Sequence, residues 1–325
     1  MKLISKLTKT AVVAFLALGM YSCSDDDDVN VEVVETNTIA DFVSSTGDYS
    51  SLAAALDAAG LTATLNGNEK FTVFAPNNAA FDRFLAANNF ATLGDVPVDV
   101  LTQVLLNHVQ MGEILASDLS TGYITSMAKG SASDENLSMY INVGDNVTIN
   151  GVATVTSANN QVDNGIIHAV DEVIGLPDIT TFAIADPTFD ILQAALTRED
   201  EFTFVSILQS TGDASPFTVF APTNDAFVAL LEELDVDSLG DIPSDLLASV
   251  LSYHVISGAN VRAEDITDGM MAPTFETGEI TINTGDTVTI TDENDRTSTV
   301  VLANVQATNG VIHAIDQVLL PASDE

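Results

Sequence analysis

Four histidines are the residues of this 325-residue chain whose type and spacing first suggest chemistry. His108 and His168 recur as His254 and His313, at offsets of 146 and 145 residues. An imidazole serves as a general base or a metal ligand, or as a neutral ring that ties buried backbone together by hydrogen bonds. We predict the structural role, because a buried polar ring is retained only where its hydrogen bonds are satisfied.

The spacing His-x-x-Asp suggests a ligand pair at two places, His168 with Asp171 and His313 with Asp316. On a β-strand, however, residues three apart point to opposite faces. The two side chains of each pair therefore cannot chelate one ion, and we predict no metal site.

Other catalytic patterns are missing from the sequence. It contains no Gly-x-Ser-x-Gly elbow, no phosphate-binding glycine loop and no zinc-ligand spacing. The acidic cluster at residues 292–295 lacks the spacing of a defined calcium loop, so we expect a solvated turn there rather than a calcium site. No catalytic residue and no cofactor is predicted.

The elements that hold the histidines belong to a duplicated domain. Residues 70–85 return at 216–231, residues 97–109 at 243–255, and residues 164–174 at 309–319. This period is far longer than a solenoid repeat, so each copy should close its own core.

Within each copy the pattern predicts helices first and hairpins after, an α+β arrangement. A strand at 71–74 precedes a helix capped by Asn77-Asn78, or by Thr223-Asn224 in the second copy. A second helix begins near Pro97 or Pro243, and its buried row ends at a histidine.

The strands of the later half are equally regular. Hairpins are predicted at 140–149 and 279–290, and an Asn-Gly turn feeds a buried closing strand that carries His168 or His313. The histidines should therefore lie inside each domain.

These blocks resemble the fasciclin (FAS1) domain: TVFAPTNDAF at 218–227, Tyr253-His254, and NGVIHAID at 309–316. The first copy carries Asn77 and Asn107 where the second has Thr223 and Tyr253. The resemblance implies two tandem wedge-shaped β-sandwich domains flanked by helices, at 36–176 and 178–321, that serve adhesion. It assigns structural motif roles to these residues: His108, His168, His313, Asp171, Asp316, Thr223 and Asn224.

Two adhesion motifs of animal FAS1 proteins are only partly present in this chain. The aspartate of an Asp-Ile pair is replaced by Asn159 and Asn304, and an amide cannot replace a carboxylate that meets a metal-bound or cationic partner. Integrin-type recognition is therefore in doubt. The Tyr-His pair survives only as Tyr253-His254, which makes it the possible adhesion motif and the second domain the one to test.

The N-terminus resembles a bacterial lipoprotein signal. Lys2, Lys6 and Lys9 precede an apolar run of ten residues, too short to span a membrane, and Cys23 is the only cysteine. We expect a signal peptide at 1–22, lipidation of Cys23, and an acidic tether at 23–35 whose aspartates act as a surface-export tag or as a plain spacer. The predicted location is the outer membrane, exposed at the cell surface.

The net charge of the chain limits the classes of partner that it can bind. Loss of the three signal lysines leaves six cations against 47 carboxylates, a net charge of −41. Such a field opposes nucleic acid and anionic lipid, so we expect membrane contact only through the lipid anchor. A non-catalytic adhesion lipoprotein that binds protein, matrix or biofilm components is predicted first. A glycan-binding lipoprotein or a hydrolase is the alternative, although the chain has no tryptophan for sugar stacking.

Overall fold

The computed structural model describes residues 37–212 and 214–322, and residues 36–325 form one compact unit. The predicted signal peptide, the Cys23 lipidation site and the acidic tether lie outside the described residues. Two copies of one α+β fold follow each other, as the repeat predicted.

The first domain has five helices and seven strands among the described residues. The helices are α1 (Ile39–Ser45), α2 (Ser50–Ala58), α3 (Thr62–Leu65), α4 (Asn78–Ala87) and α5 (Val98–Leu106). The strands are β1 (Phe71–Pro76), β2 (Val109–Met111), β3 (Gly122–Lys129), β4 (Asn136–Val143), β5 (Val147–Ile149), β6 (Ala153–Val162) and β7 (Gly165–Val170).

The second domain repeats this order. Its helices are α6 (Ile179–Ala185), α7 (Asp190–Leu196), α8 (Phe204–Leu208), α9 (Asn224–Glu233) and α10 (Ser244–Tyr253). Its strands are β8 (Phe217–Pro222), β9 (Val255–Ser257), β10 (Met270–Pro273), β11 (Glu279–Asn283), β12 (Thr289–Thr291), β13 (Thr297–Ala307) and β14 (Gly310–Ile315).

In each domain, hydrogen bonds join seven strands into one sheet. The order is β2-β1-β7-β6-β5-β4-β3 in the first domain and β10-β11-β12-β13-β14-β8-β9 in the second. The first and last long strands pair in parallel, Phe71 opposite Gly165 and Phe217 opposite Gly310, and the other pairs are antiparallel. The predicted hairpins are confirmed, with Val143 opposite Val147 and Asn283 opposite Thr289.

Register shifts bend the long strands β6 and β13 and so divide each sheet into two layers. The shifts fall between Val155, Ser157 and Asn160 in β6, and Asn159 sits between the last two with φ of 61°. Asn304 has φ of 64° at the matching place in β13. Asparagine tolerates this left-handed conformation better than most residues, which suits both positions to a bulge.

The core lies on both faces of the strand that opens each motif. Phe71 and Val73 face the helices, whereas Phe74 points the other way, between the two layers of strands. Phe217 and Phe220 divide in the same way. Alternation along a strand therefore explains why the whole of β1 and β8 is buried.

The two domains are joined by a packed junction. The β3–β4 turn of the first domain donates from Ser131 N and Ala132 N to Thr308 O, at 3.1 and 3.0 Å. Ser138 Oγ accepts from Gln306 N at 3.0 Å, and Tyr140 packs in the core of the second domain. The short connection at 176–178 thus leads to fixed contacts between the copies.

Candidate functional site

His108 and His254 hold the end of a helix to the segment that follows the closing strand. Each Nδ1 donates to the carbonyl four residues back, His108 to Val104 at 2.7 Å and His254 to Val250 at 2.6 Å. Each Nε2 accepts from a distant amide, Ile174 N at 2.8 Å and Leu319 N at 2.9 Å. Both ring nitrogens are therefore used, and the accepting one requires the neutral ring.

Burial fixes the charge state of these two rings. His108 and His254 are almost fully buried, and desolvation lowers the pKa of each to about 4 although the bonded carbonyl favours the charged form. A ring that stays neutral and has no access to solvent cannot exchange protons with a substrate.

His168 and His313 lie on the closing strands and brace the loops that follow β2 and β9. Each Nε2 bonds a loop carbonyl at 2.9 Å, Ile114 O and Val261 O respectively. Each ring stacks on the phenylalanine of the neighbouring parallel strand at 5.6 Å, Phe74 or Phe220. Burial lowers the pKa of both.

The aspartates of the His-x-x-Asp pairs are used by backbone rather than by an ion. Asp171 Oδ1 accepts from Thr154 N, and Asp316 Oδ1 accepts from Thr299 N, both at 2.6 Å. Within the described part of the chain, no group of three His, Cys, Asp or Glu side chains is arranged to hold a metal ion.

The two motif residues after the first strand have separate roles. Thr223 Oγ1 accepts from Ala226 N and caps α9, as Asn77 caps α4 through Ala80 N. Asn224 does not cap; its Oδ1 accepts from Ile191 N and its Nδ2 donates to Pro187 O, which ties α9 to the start of α7.

The possible adhesion motif lies in the interior of the second domain. Tyr253 is 0% exposed, and its hydroxyl donates to Glu279 O at 2.7 Å and accepts from Glu293 N at 3.1 Å. Burial raises the pKa of Tyr253. Asn107 takes its place in the first domain and donates instead to Gly175 O at 2.9 Å. Neither Tyr253 nor His254 offers a surface to a partner.

Asn159 and Asn304, which replace the aspartate of animal members, also serve their own domains. Asn159 Oδ1 accepts from Ala116 N at 2.8 Å, and Asn304 Oδ1 accepts from Ala263 N at 2.9 Å. The bulges at these positions are therefore bonded to the loops that the histidines brace.

The turn at 292–295 exposes Glu293, Asn294 and Asp295, as expected for a solvated turn, but Asp292 turns inward. Asp292 is 5% exposed, and it accepts from Arg296 N at 2.9 Å and from Leu320 N at 3.0 Å. Arg296 Nη1 pairs with Asp292 Oδ2, which also accepts from Leu320 N, at 3.3 Å. A charged run in sequence suggested solvation, but this carboxylate closes the end of the second domain.

Two surface clefts occupy equivalent places in the two domains. The first, of about 810 Å³, lies between α4, α5, the residues that connect the domains, and the start of α6. Its walls are mainly apolar, with Phe84, Phe90, Val100, Val152 and Leu176. The second, of about 640 Å³, is lined by apolar residues such as Leu246 together with the charged residues Glu233, Asp245 and Arg296. The sequence did not reveal the first cleft, since its residues come from separate segments.

The family comparison agrees with these repeated geometries. The family model described as "Fasciclin domain" matches residues 47–177 and 188–321, most of the described chain. The chain belongs to the fasciclin domain family. The resemblance predicted from three short blocks is thereby confirmed for both copies, and FAS1 domains are associated with adhesion and interaction.

Relatives of this FAS1 protein come from animals, a fungus and the bacterium Synechocystis. Transforming growth factor-beta-induced protein ig-h3 of Sus scrofa is 30% identical over 265 residues, 80% of this chain and 36% of the relative. The chain thus spans about a third of that relative's length. A fasciclin-like arabinogalactan protein of Arthroderma benhamiae is 24% identical over 331 aligned residues, which cover 96% of this chain and 70% of the relative.

A solved structure is also similar to this FAS1 protein. It is described as a FAS1 domain pair from the insect cell adhesion molecule Fasciclin I, with a TM-score of 0.46 and 20% identity. The matched region covers 82% of this chain and 92% of the chain in the solved structure. Across residues 37–212 and 214–322, no helix has the length and apolar character needed to cross a bilayer.

Proposed function

We propose that this protein is a surface-anchored, non-catalytic adhesion lipoprotein whose FAS1 domains bind protein, matrix or biofilm components. An acylated Cys23 holds it to the outer membrane, and the acidic residues 23–35 carry the folded domains away from the lipid. The association of FAS1 domains with adhesion and interaction supports the binding role.

The observation that carries the proposal is that the shared motif is turned inward. The imidazoles of His108 and His254 each bond two backbone groups, and Tyr253 bonds two more. Residues whose polar groups bond backbone inside the domain maintain the fold, so the outer surface is left to contact a partner. Tyr253 and His254 then affect adhesion through the stability of the second domain.

Charge selects among partners. A chain with 47 carboxylates against nine lysines and arginines repels nucleic acid phosphates and anionic headgroups. Neutral or basic protein surfaces approach it without that penalty, and direct contact with membrane is confined to the lipid anchor.

Attachment of cells tests the proposal. We compare wild-type cells, a deletion strain, and cells producing Cys23→Ser, and measure attachment to matrix-coated surfaces together with membrane fractionation. The deletion should lower attachment, and Cys23→Ser should release the protein from membranes and lower attachment equally. Unchanged attachment in the deletion strain would refute the adhesion role. Membrane retention of Cys23→Ser would refute the anchor, and a glycan-array hit with unchanged attachment would favour the glycan-binding alternative.

A further inference from the structure

We propose that the apolar cleft of the first domain, here named the junction cleft, binds a basic amphipathic segment of a partner polypeptide. The junction cleft is defined by Phe84, Phe90, Val100, Val152, Leu176 and Thr181. The inference rests on the proposed adhesion function and gives that function a surface and a partner chemistry.

Apolar side chains are presented to solvent on both walls of the cleft. Val100 on α5 is 39% exposed and Val152, in the turn before β6, is 57% exposed. Phe84 and Phe90 line the same cleft and are half-buried. Apolar surface gathered in a concave site is typical of a docking site, whereas single exposed apolar residues are ordinary.

The junction cleft continues into the contact between the domains. A Cβ built on Gly151 would lie 3.4 Å from Ala185 of α6, and Thr181 of the same helix lines the cleft. Val152 therefore stands next to a fixed interdomain contact. The second domain therefore supplies part of the lining of the cleft.

The described residues that line the cleft offer an anionic ligand no unpaired cation. Arg83 is the one cation among the lining residues, all of which belong to the described part of the chain. Its Nε pairs with Glu172 Oε1 at 2.6 Å, and its Nη2 donates to Asp171 O. With this cation already neutralised inside a chain of net charge −38, the complementary partner carries apolar side chains and basic flanks.

The second domain supplies an internal comparison. At the equivalent place Arg296 pairs with Glu233 at 2.5 Å, and Asp245 lines the wall. Leu246 occupies the helix position of Val100 and is 37% exposed, nearly the same. The second cleft also has apolar side chains, including Leu234 and Leu320, but three of its ten lining residues are charged, against two of fourteen in the first, so we expect an apolar segment to prefer the first.

The volume of about 810 Å³ suits a short polypeptide segment. It falls in the range of roughly 300–1,000 Å³ typical of ligand sites. An amphipathic helix that lays its apolar face into such a groove is a recurrent mode of peptide recognition. The basic face of that helix would then point toward the acidic surroundings.

Binding of a defined peptide tests the inference. The full chain with Cys23→Ser, which keeps every described residue, is titrated with a fluorescent 14-residue amphipathic peptide of leucine and lysine. A peptide with glutamate in place of lysine is the control ligand. We expect Val100→Glu and Val152→Glu to weaken binding of the basic peptide at least tenfold, and Leu246→Glu to change it less than twofold. The acidic peptide should not bind.

The matched variants separate cleft binding from general attraction. Each adds one carboxylate, so attraction by net charge alone predicts equal affinities for Val100→Glu and Leu246→Glu, and that result would overturn the inference. Melting curves check folding, and Val100→Ser replaces Val100→Glu if the latter is unfolded. Binding to neutral phosphatidylcholine vesicles is measured as well. If the protein binds these vesicles through Val100 but does not bind the peptide, the inference is also overturned.

Cell attachment distinguishes failure of the inference from failure of the proposed function. Loss of attachment in Val100→Glu cells but not in Leu246→Glu cells supports both. If Val100→Glu cells attach normally while the deletion strain does not, the junction cleft is wrong and the adhesion role stands. If the deletion strain attaches like wild type, the adhesion role is wrong whatever the peptide does.

Discussion

The hydroxyl of Tyr123 in the first domain donates to Asp186 Oδ2 in the second at 2.9 Å. The Tyr123 ring also meets Phe182 edge-on, with centroids 5.5 Å apart. Burial, aided by the Asp186 carboxylate, raises the pKa of Tyr123 and raises that of Tyr140 to about 12. Both phenols therefore stay protonated at physiological pH, and Tyr123 remains a donor across the junction.

Tyr123→Phe should loosen the two domains from each other. Asp186 is 5% exposed, so loss of its donor leaves a buried carboxylate oxygen short of a partner, at a cost of about 1–3 kcal/mol. We expect faster proteolysis at residues 176–178 and a broader interdomain distribution in X-ray scattering. Tyr253→Phe removes a hydroxyl inside one domain and should leave both readouts unchanged. Equal effects of the two variants would contradict a junction role.

Gly130→Ala should disturb the same junction from its other side. A Cβ on Gly130 would lie 2.5 Å from Thr308 Cα, a backbone atom that moves only if the turn or the second domain shifts. Gly144→Ala is the matched control, because its Cβ meets nothing closer than 4.0 Å. Scattering and the separation of the two melting transitions should change for Gly130→Ala alone. An unaltered junction in that variant would show that the turn adapts freely.

His254→Ala should act on the stability of the second domain. It leaves Val250 O and Leu319 N without a side-chain partner and opens a cavity, which together should cost at least about 2 kcal/mol. Leu246 on the preceding helix is 37% exposed, so Leu246→Ala should cost under about 1 kcal/mol. Denaturant unfolding measures both. If the stability of His254→Ala holds while attachment is lost, the histidine contacts the partner directly and its structural assignment is wrong.

Acidification should destabilise both domains through the buried imidazoles of His108 and His254. The pKa of His108 and of His254 falls from 6.5 in the unfolded chain to about 4 in the folded one. The unfolded state therefore takes up protons first, so stability is present at neutral pH and is lost as pH falls. Between pH 7 and pH 5 the loss of unfolding free energy is about 2 kcal/mol per ring. His254→Gln should remove the part of this slope that belongs to the second domain, and an unchanged slope would contradict the assignment.

The sequence predicted the parts of the fold whose residue patterns occur in both copies of the repeat. The closing strands, the hairpins and the helix caps at Asn77 and Thr223 follow from local patterns. The helices α1 to α3 were not predicted from the sequence. Segments of four to nine residues have little intrinsic helicity, and these helices form because they pack on the core.

The candidate site was harder to predict for a physical reason. The inward role of the histidines followed from their place in buried rows. Tyr123 and Asp186 are 63 residues apart, however, and the cleft residues Val100 and Val152 are separated by most of a sheet. No local pattern links such residues, and Asp292 was misjudged because a run of charges does not reveal which carboxylate turns inward.

The parallel pairing of β1 with β7 sets the order in which each domain completes itself. Phe71 meets Gly165, a partner 94 positions later in the chain, and Phe217 meets Gly310, 93 positions later. Long-range pairing of this kind slows folding, since the intervening loop must close first. During synthesis the central sheet stays unfinished until almost the whole domain has emerged. A premature stop before residue 165 therefore yields a fragment in which β1 keeps β2 but lacks its parallel neighbour β7, and we expect proteases to degrade such a fragment.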